Sequence, residues 1–395
     1  MKKIIIVTHC MEVGGAEKSL IELLNCIDYE TYAVDLFLLK HSGEFMSQIN
    51  EHVNLLNEIP SYAALMKPIS TVLKSKQFLI GISRLFAKNL SYRNARKSNV
   101  WKDTYTLEYA HKYSQIFLPQ ISNERYDLAI SFLTPHYITT NKVKADKKVA
   151  WIHTDYSKMV VDIKSELNMW RKYDYIAAIS ESSKKAFVKI FSELEKKVFV
   201  MENILLSESI RKQAEGDVSE EIDKSKITIC SVGRFSYPKN FDNVPNICKR
   251  IVESGYDIRW YLIGSGGEER KIRERIKEEH MEEYVFILGK KINPYPYMKA
   301  CDFYIQPSRY EGKSVSVREA QILQKPVVIT NYTTAKSQVE DGVDGAIVPI
   351  DNEECAKGIV NVIKDQALQR NLIENCKKRD FGNEKEIEKL YNLMG

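Results

Sequence analysis

The sequence predicts an α/β protein built from two doubly wound domains, each formed around a parallel sheet. Its 395 residues exceed what one hydrophobic core of ordinary size organises. Short apolar runs alternate with longer amphipathic segments throughout the chain, which is typical of parallel sheets covered by helices. Both halves also open alike, because Ile4–Val7 precedes Gly14-Gly15 and a helical segment, and Ile227–Val232 precedes Gly233.

Composition and charge exclude several classes of protein. Apolar residues make up 44% of the chain and charged residues 28%, which is typical of a globular protein. The net charge of +5 is small for this length, and no Arg-rich stripe is present, so we expect no nucleic-acid partner. The seven cysteines are scattered without a CxxC motif, which favours a reducing cytosol and no metal site. The apolar run at the start is too short for a signal peptide, and none reaches the roughly 18 residues that cross a membrane.

The first half contains two candidate functional positions. Gly14-Gly15 follows a strand and precedes a helix that begins at Glu17, and glycines there let backbone approach a ligand closely. A tight turn without a ligand is the alternative, since the spacing is not GxGxxG. His153 follows a strand, where functional side chains of such sheets collect, although a lone histidine is more often structural. The strands predicted in this half are Ile4–Val7, Tyr32–Leu39, Val53–Leu56, Asp127–Phe132, Lys148–Ile152, Tyr175–Ser180 and Val198–Met201.

Residues 61–112 are predicted to form long helices that are both basic and rich in apolar side chains. Such a region suits an enzyme that works on a membrane-embedded lipid carrier, and we expect peripheral membrane contact here. The alternative is ordinary solvated helix faces over an apolar core. The cations of the region are Lys67, Lys74, Lys76, Arg84, Lys88, Arg93, Arg96, Lys97 and Lys102.

A polar, charged stretch, Ser207–Lys226, is predicted to connect the domains, which we place at residues 1–205 and 206–382. The second domain then begins with a strand, and Arg234 and Lys239 lie in the loop after it. Arg offers a bidentate fork and Lys a mobile charge, so both could bind a diphosphate. The alternative is two surface cations. Further strands are predicted at Arg259–Ile263, before Gly264, at Val285–Leu288, before Lys291, and at Ala346–Pro349.

The segment Ser308–Thr330 lies between predicted strands at Phe303–Ile305 and Val327–Ile329. It is predicted to form a loop containing Glu311 and then a helix from about Ser314 to Leu323. Ser314 is the candidate N-cap, and free amides at a helix N-terminus suit phosphate. Glu319 falls on this largely apolar helix, where an ionised carboxylate needs a partner. The alternative is a solvated Glu311 and a Glu319 paired with Arg318 or Lys325.

These motifs resemble the signature of retaining glycosyltransferases of family 4, the glycosyl transferases group 1. Glu311 and Glu319 are separated by seven residues, and the run Val-Gly-Arg, four residues, Lys-Asn resembles the family's phosphate motif. The resemblance implies the GT-B fold, in which two Rossmann-like domains face a central cleft. It is weaker over residues 55–123, and Glu202-Asn203 departs from the Pro-Asn-Gly usual in the family. It also implies that the helix at 383–395 packs back onto the first domain.

The resemblance assigns roles to individual residues. The first domain would bind the acceptor and the second a nucleotide-diphosphate sugar, which we expect to be UDP-linked. No Asp-x-Asp follows a strand, so we expect no metal and no cofactor besides this co-substrate. The implied catalytic residues are His153, Arg234, Lys239 and Glu311. The implied donor-binding residues are Gly14, Gly15, Gly233, Arg234, Lys239, Gly264, Lys291, Glu311, Gly312, Lys313, Ser314, Val315, Ser316 and Glu319.

The expected reaction moves a hexosyl unit, with retention, to a glycan or a lipid-linked acceptor in surface polysaccharide or glycoconjugate synthesis. We expect the protein in the cytoplasm, at the inner face of the plasma membrane. The alternatives are a protein or small-molecule acceptor, a sugar epimerase of the same fold, or a non-catalytic partner-binding member. A phosphorylase of this fold would need a pyridoxal-binding Lys and a much longer chain. A dehydrogenase would need GxGxxG and an acid about 20 residues further on, which the first loop lacks.

Overall fold

The computed structural model describes residues 1–98, 100–101, 104–154 and 156–395. Lys102 of the predicted membrane-binding region lies outside the described residues. The chain separates into two compact units, the first formed by Met1–Ile204 with Glu384–Gly395 and the second by Leu205–Asn383. Each unit contains one parallel sheet, so the predicted α/β fold of two Rossmann-like domains is confirmed.

The first unit has a seven-stranded sheet in the order β3-β2-β1-β4-β5-β6-β7, and every pairing is parallel. Its central strands are buried on both faces, which explains why they are continuous apolar runs such as Ile4–Val7. The strands are β1 Lys2–Thr8, β2 Tyr32–Leu38, β3 Asn54–Leu55, β4 Arg125–Ser131, β5 Lys144–Ile152, β6 Tyr175–Ala178 and β7 Val198–Val200.

The helices of the first unit include one long helix in the basic region and several short ones. The predicted long helices of residues 61–112 are interrupted, since Pro60 begins one short helix and Pro68 precedes another. The helices are α1 Gly15–Cys26, α2 Pro60–Ala63, α3 Ile69–Leu73, α4 Phe78–Lys97, α5 Thr106–Ser114, α6 Tyr137–Lys142, α7 Ile163–Trp170 and α8 Glu181–Ile190. None of these helices, nor any other in the described part of the chain, is both long and apolar enough to span a bilayer.

The second unit begins with a helix that the sequence did not reveal. The supposed connection Ser207–Lys226 contains α9, Ser207–Gln213, and contributes Ile210, Ala214 and Ile222 to the core. A polar linker was therefore the wrong prediction for this stretch. The few apolar residues of this stretch are surrounded by charged ones, which is why the sequence pattern indicated a polar linker.

The sheet of the second unit has the order β10-β9-β8-β11-β12-β13, again with parallel pairings. Alternate residues of its strands enter two separate cores, one on each face of the sheet. The strands are β8 Ile227–Val232, β9 Ile258–Ile263, β10 Val285–Gly289, β11 Phe303–Gln306, β12 Val327–Thr330 and β13 Ala346–Val348. The helices are α10 Val244–Glu253, α11 Glu269–Glu278, α12 Tyr295–Ala300, α13 Val315–Ile322, α14 Asn352–Lys364 and α15 Gln366–Lys378.

The C-terminal segment returns to the first unit. Instead of one helix over 383–395, it forms a 3₁₀ turn, Glu384–Ile387, and the short α16, Glu388–Asn392. The Tyr391 ring stacks on Tyr32 with centroids 4.2 Å apart, and Lys389 Nζ donates to the Val200 carbonyl at 2.9 Å. These contacts fix the end of the chain beside the first sheet.

Candidate active site

The order of strands in the second sheet reverses between β8 and β11, which are neighbours although two strands separate them in sequence. This position is the topological switch point of the sheet. In doubly wound sheets, the crevice outside the carboxyl ends of such a strand pair is where ligands bind. The loop after β8 carries Arg234 and Lys239, and the loop after β11 carries Glu311. The topology therefore brings together residues that are 72 positions apart.

Lys239 and Glu311 form an ion pair at this switch point. Lys239 Nζ lies 2.5 Å from Glu311 Oε1, and both side chains are largely buried. Ser308 Oγ donates to the same oxygen at 2.7 Å. Within the described part of the chain, Glu311 Oε2 has no partner, so one carboxylate oxygen stays available to a ligand. An exposed loop glutamate was the alternative from sequence, and the structure does not support it.

A series of hydrogen bonds between buried side chains leads from β11 to Glu311 and holds its carboxylate in place. Tyr304 OH donates to Gln306 Oε1 at 2.8 Å, and Gln306 Nε2 donates to Ser308 Oγ at 3.0 Å, which in turn donates to Glu311. The first three residues are fully buried. These hydrogen bonds were not evident from the sequence, although the glutamine at the end of the apolar strand β11 indicated an amide that needs partners.

A second feature missed from sequence holds the two loops together. Arg309 donates from both terminal nitrogens to the Asp242 carboxylate, at 2.8 and 3.0 Å, and also to the Tyr237 carbonyl at 2.6 Å. Its guanidinium lies over the Tyr237 ring, 4.3 Å from the centroid. Burial alone would raise the pKa of Asp242, but hydrogen bonds from Arg309 and Lys271 hold it below its usual value. This clamp fixes the turn that carries Lys239 beside Glu311.

Replacing Arg309 with Met is expected to lower the free energy of unfolding by about 3 kcal/mol, because it leaves the buried Asp242 without its bidentate partner. Urea unfolding of Arg309→Met and of Arg309→Met/Asp242→Asn measures this. The double variant should recover part of the loss, since it removes a buried carboxylate that would keep Lys271 as its ionic partner but would lack Arg309. If both variants lose the same free energy of unfolding, the contact between Arg309 and Asp242 does not stabilise the fold as described.

Glu319 lies on α13 and is almost fully buried, with 2% of its surface exposed. It accepts a hydrogen bond from Tyr295 OH at 3.0 Å. Of the cations proposed as its alternative partners, Arg318 donates to the Phe381 carbonyl and Lys325 donates to the Cys301 carbonyl. The buried carboxylate predicted from the helical pattern is therefore present.

Ser314 occupies the N-cap position of α13, but its hydroxyl caps no amide. The hydroxyl lies 3.1 Å from Ser316 Oγ, and the Ser314 amide donates to Gln338 Oε1 at 3.1 Å. The prediction that the Ser314 hydroxyl caps the helix is wrong. Gln338 already occupies one amide of the predicted phosphate cradle, while Val315 and Ser316 are half-buried at the start of the helix.

Two glycines of the second unit are required by close packing. Gly264 has φ +149°, and a Cβ there would lie 1.9 Å from the Gly233 carbonyl oxygen. A Cβ on Gly233 would in turn lie 3.2 Å from Lys239 Cε. The lysine stem therefore passes directly over Gly233. Arg234, next along the chain, is exposed and has no side-chain partner among the described residues.

Of the other predicted donor-binding residues in this unit, two are exposed and one is half-buried. Gly312 and Lys313 are exposed in the loop before α13. Lys291 forms an ion pair with Glu221 at 2.6 Å and lies over the Tyr297 ring, 4.8 Å from the centroid. Its ammonium is therefore engaged within the unit, so a ligand would have to compete with Glu221 for it.

The predicted residues of the first unit lie at the carboxyl end of its own sheet. Gly14 has extended backbone and caps α1, and a Cβ on Gly15 would meet nothing within 4 Å, so there is room beside this helix start. His153 follows β5 and packs on Phe132, with ring centroids 4.5 Å apart. Burial lowers the pKa of His153 to about 3, so the imidazole is neutral. A neutral imidazole can orient a ligand by hydrogen bonding, but it carries no charge with which to stabilise a developing anion.

His153 is one of four histidines of the first unit that the sequence did not reveal as a group, and His111 and His136 are buried whereas His9 and His153 are half-buried. His9 and His111 have ring centroids 5.4 Å apart, and His136 Nδ1 lies 2.8 Å from Ser131 Oγ. Burial lowers the pKa of His9 to about 4 and that of His136 to about 3, and it lowers the pKa of His111 as well. The histidines come from separate elements of the first unit, so only folding brings them together.

These histidines should make the first unit sensitive to acid. An imidazole with a depressed pKa stays neutral when folded but takes up a proton when unfolded, so stability falls from about pH 6.5 downwards. Glu166 opposes this trend, because burial raises its pKa to about 7. We therefore compare the wild type with His136→Asn by urea unfolding between pH 7 and pH 5. As the pH falls, the free energy of unfolding of the wild type should decrease by up to about 1.4 kcal/mol per pH unit more than that of His136→Asn.

His52→Asn is the control, since His52 is exposed. It should follow the wild type at every pH. Parallel pH profiles for the wild type and His136→Asn would show that burial does not depress the pKa of His136.

Residues 212–379 match the sequence profile of the family described as glycosyl transferases group 1. The second unit is a group 1 glycosyl transferase domain. The matched residues include Arg234, Lys239, Glu311 and Glu319, so the predicted resemblance of this part of the chain to the glycosyl transferases group 1 is confirmed. The domain's candidate site thus lies at the switch point of its sheet.

Relatives support the same family. The chain is 29% identical over 213 residues to the N-acetylgalactosamine-N,N'-diacetylbacillosaminyl-diphospho-undecaprenol 4-alpha-N-acetylgalactosaminyltransferase of Campylobacter jejuni. This match covers 53% of the chain and little more than half, 56%, of that relative. It therefore extends well beyond a short motif, but it leaves much of both proteins unmatched.

Solved structures match the entire fold. Anabaena Alr3699/HepE in complex with UDP-glucose has a TM-score of 0.67 and 18% identity, covering 99% of this chain and 100% of that one. An S. aureus TarM mutant in complex with fondaparinux, alpha-GlcNAc-glycerol and UDP has a TM-score of 0.69 and 15% identity, covering 100% of both chains. At these identities the likeness establishes the fold, which is the predicted GT-B fold.

Proposed function

We propose that the protein is a retaining glycosyltransferase that moves a hexosyl unit from a UDP-sugar to a glycan or lipid-linked acceptor. The observation that carries the proposal is the Lys239–Glu311 pair beside the exposed Arg234, at the switch point of a group 1 glycosyl transferase domain. Two cations and a partly free carboxylate in one crevice suit a sugar joined to a diphosphate.

Each residue would act on a different part of the donor. Arg234 and Lys239 would stabilise charge that grows on the departing diphosphate. Glu311 would bind hydroxyls of the donor sugar through Oε2, and the buried Glu319 would accept hydrogen bonds from the ribose hydroxyls. His153, as a neutral imidazole of the first unit, would orient the acceptor that this unit is proposed to bind. In this scheme the cations take the part that a divalent metal has in other transferases, and no carboxylate of the protein acts as a nucleophile.

The comparisons support the choice of donor and acceptor classes. Both solved structures named above were obtained with UDP or UDP-glucose. The Campylobacter relative is named for a diphospho-undecaprenol acceptor, and another relative is the poly(ribitol-phosphate) alpha-N-acetylglucosaminyltransferase of Staphylococcus aureus. We therefore place the reaction in surface glycan synthesis, in the cytoplasm at the inner face of the plasma membrane, with the basic region 61–112 turned towards the lipid.

Thermal unfolding with UDP, GDP and ADP in turn tests the proposed donor. Binding to the folded state alone raises stability by about 2.7 kcal/mol when the ligand is at 100 times its Kd, so UDP should raise the melting temperature clearly. A rise with GDP or ADP instead would change the donor base. No response to any of the three would refute the transferase and favour a non-catalytic member of the fold.

Product analysis with the matching UDP-sugars then separates the enzyme classes. A transferase should release UDP slowly without an acceptor and rapidly with glycan or lipid-linked acceptors. Rapid conversion to UDP and an epimerised free sugar, with no acceptor present, would identify an epimerase and contradict the proposal.

A further inference from the structure

Helix α4 of the first unit has its small side chains turned inward and its bulky apolar side chains turned outward. The residues buried along one side are Ile80, Gly81, Ser83, Ala87, Ser91 and Ala95. The exposed bulky residues are Phe78, Leu79, Ile82, Leu85 and Phe86. Their spacing of one, three and four residues places them on one continuous face. A helix at an ordinary protein surface shows the opposite pattern.

The inward packing prevents α4 from turning its bulky side chains into the core. Ser83 Oγ lies 2.9 Å from Ser114 Oγ of α5, and Ser91 Oγ lies 3.1 Å from Thr106 Oγ1. A Cβ on Gly81 would lie 2.8 Å from Leu73 Cδ2 of α3. Because the helix is fitted closely through small residues, its apolar face stays exposed in the isolated chain.

The charged residues in the stretch of sequence that contains this helix are all of one sign. Residues 59–102 contain no aspartate and no glutamate. Arg93, Arg96 and Lys97 are exposed on the second half of α4, and Lys74 and Lys76 are exposed just before it. An apolar stripe continuous with cations matches an anionic lipid surface, where the side chains enter the acyl boundary and the cations meet headgroups.

A second copy of the chain fits this face poorly. A two-fold dimer would place the same surface against itself, and would therefore bring two acid-free basic regions together. Like charges at such an interface oppose association. The charge pattern thus selects a lipid surface over self-association.

We propose that the outer α4 surface, formed by Phe78, Leu79, Ile82, Leu85 and Phe86 with Arg93, Arg96 and Lys97, inserts into the headgroup region of an anionic leaflet. The inference deepens the proposed function by identifying the side chains that hold the enzyme at the membrane. Docking needs no sugar nucleotide, so it can be tested apart from transfer.

Vesicle sedimentation of the full chain tests this surface. The protein should bind vesicles of phosphatidylcholine with phosphatidylglycerol and bind phosphatidylcholine alone far more weakly. Trp101 is 73% exposed and the other three tryptophans are at most 1% exposed, so a blue shift in tryptophan fluorescence would report burial of this one residue. Phe78→Gln/Leu79→Gln/Ile82→Gln should weaken binding at least tenfold.

A charge variant separates the two parts of the surface. Arg93→Gln/Arg96→Gln/Lys97→Gln should weaken binding to anionic vesicles about fivefold for each charge removed, and should flatten its salt dependence. Ile82→Gln and Ile350→Gln form a matched pair, because both isoleucines are exposed, at 52% and 38%, but Ile350 lies in the second unit. Only Ile82→Gln should weaken vesicle binding.

Several outcomes would overturn the proposal. Vesicle binding that the triple apolar variant leaves unchanged would exclude this surface. A dimer in light scattering that the same variant dissociates, without vesicle binding by the wild type, would make a second copy the occupant. UDP binding by calorimetry should be unchanged in every variant, so loss of UDP binding alone would count against the proposed function and not against docking.

Discussion

Replacing Lys239 with Met is expected to lower the turnover of a UDP-sugar by about 10²- to 10³-fold, as loss of one donor to a developing anion does in other enzymes. Lys239 Nζ lies at the switch point beside Glu311, over Gly233, where it can follow the departing phosphate. Initial rates with saturating donor give the effect on kcat, and UDP calorimetry gives the effect on affinity. The loss should be larger in kcat than in affinity, because the leaving group gains charge only during transfer.

Two variants control for indirect effects of this change. Lys239→Met leaves Glu311 without its ionic partner, so Lys239→Met/Glu311→Gln removes both charges and should be no more active. Lys291→Met removes a lysine whose partner is Glu221, and it should cost far less. Wild-type rates in Lys239→Met would remove this residue from the site.

Replacing Glu319 with Ala is expected to weaken UDP binding by about a hundredfold and to abolish transfer. Hydrogen bonds to charged groups contribute about 1.5–3 kcal/mol each, and a carboxylate can accept from both ribose hydroxyls. Its burial on α13 adds to the effect, because little water can replace the lost bonds. Calorimetry with UDP and with uridine measures it, and both affinities should fall together.

The matched control is Glu166→Gln, which also removes a buried carboxylate but lies in the first unit. It should leave UDP affinity unchanged. Tyr295→Phe removes a hydrogen bond to Glu319 and should weaken UDP binding only a few-fold. If Glu319→Ala binds UDP as the wild type does while remaining folded, the ribose assignment is wrong.

Local sequence patterns located the strands well and the helices less well. Buried parallel strands must be apolar on both faces, so runs such as Ile227–Val232 are visible without knowledge of their neighbours. The helix α9 was missed because its few apolar residues indicate a buried face only once the core that they enter is known. In residues 61–112 the sequence left open whether the apolar side chains contact a membrane or enter a core, and much of this apolar content lies exposed on α4.

The sequence predicted individual residues of the candidate site but not the contacts between them. Motifs around Lys239, Glu311 and Glu319 were recognisable along the chain, whereas their partners Ser308 and Tyr295 were not. The protonation of His153 was likewise invisible, since it depends on burial by side chains such as Phe132.

By itself, the sequence determined that two parallel sheets form and which family their motifs resemble, because hydrophobic periodicity and short motifs are properties of neighbouring residues. Only the tertiary structure decided which charges meet. Arg309 and Asp242 are 67 positions apart, and they pair because β8 and β11 lie side by side. The direction in which α4 turns its apolar face was decided in the same way, since the small residues that fit closely against α3 and α5 leave the bulky ones outside.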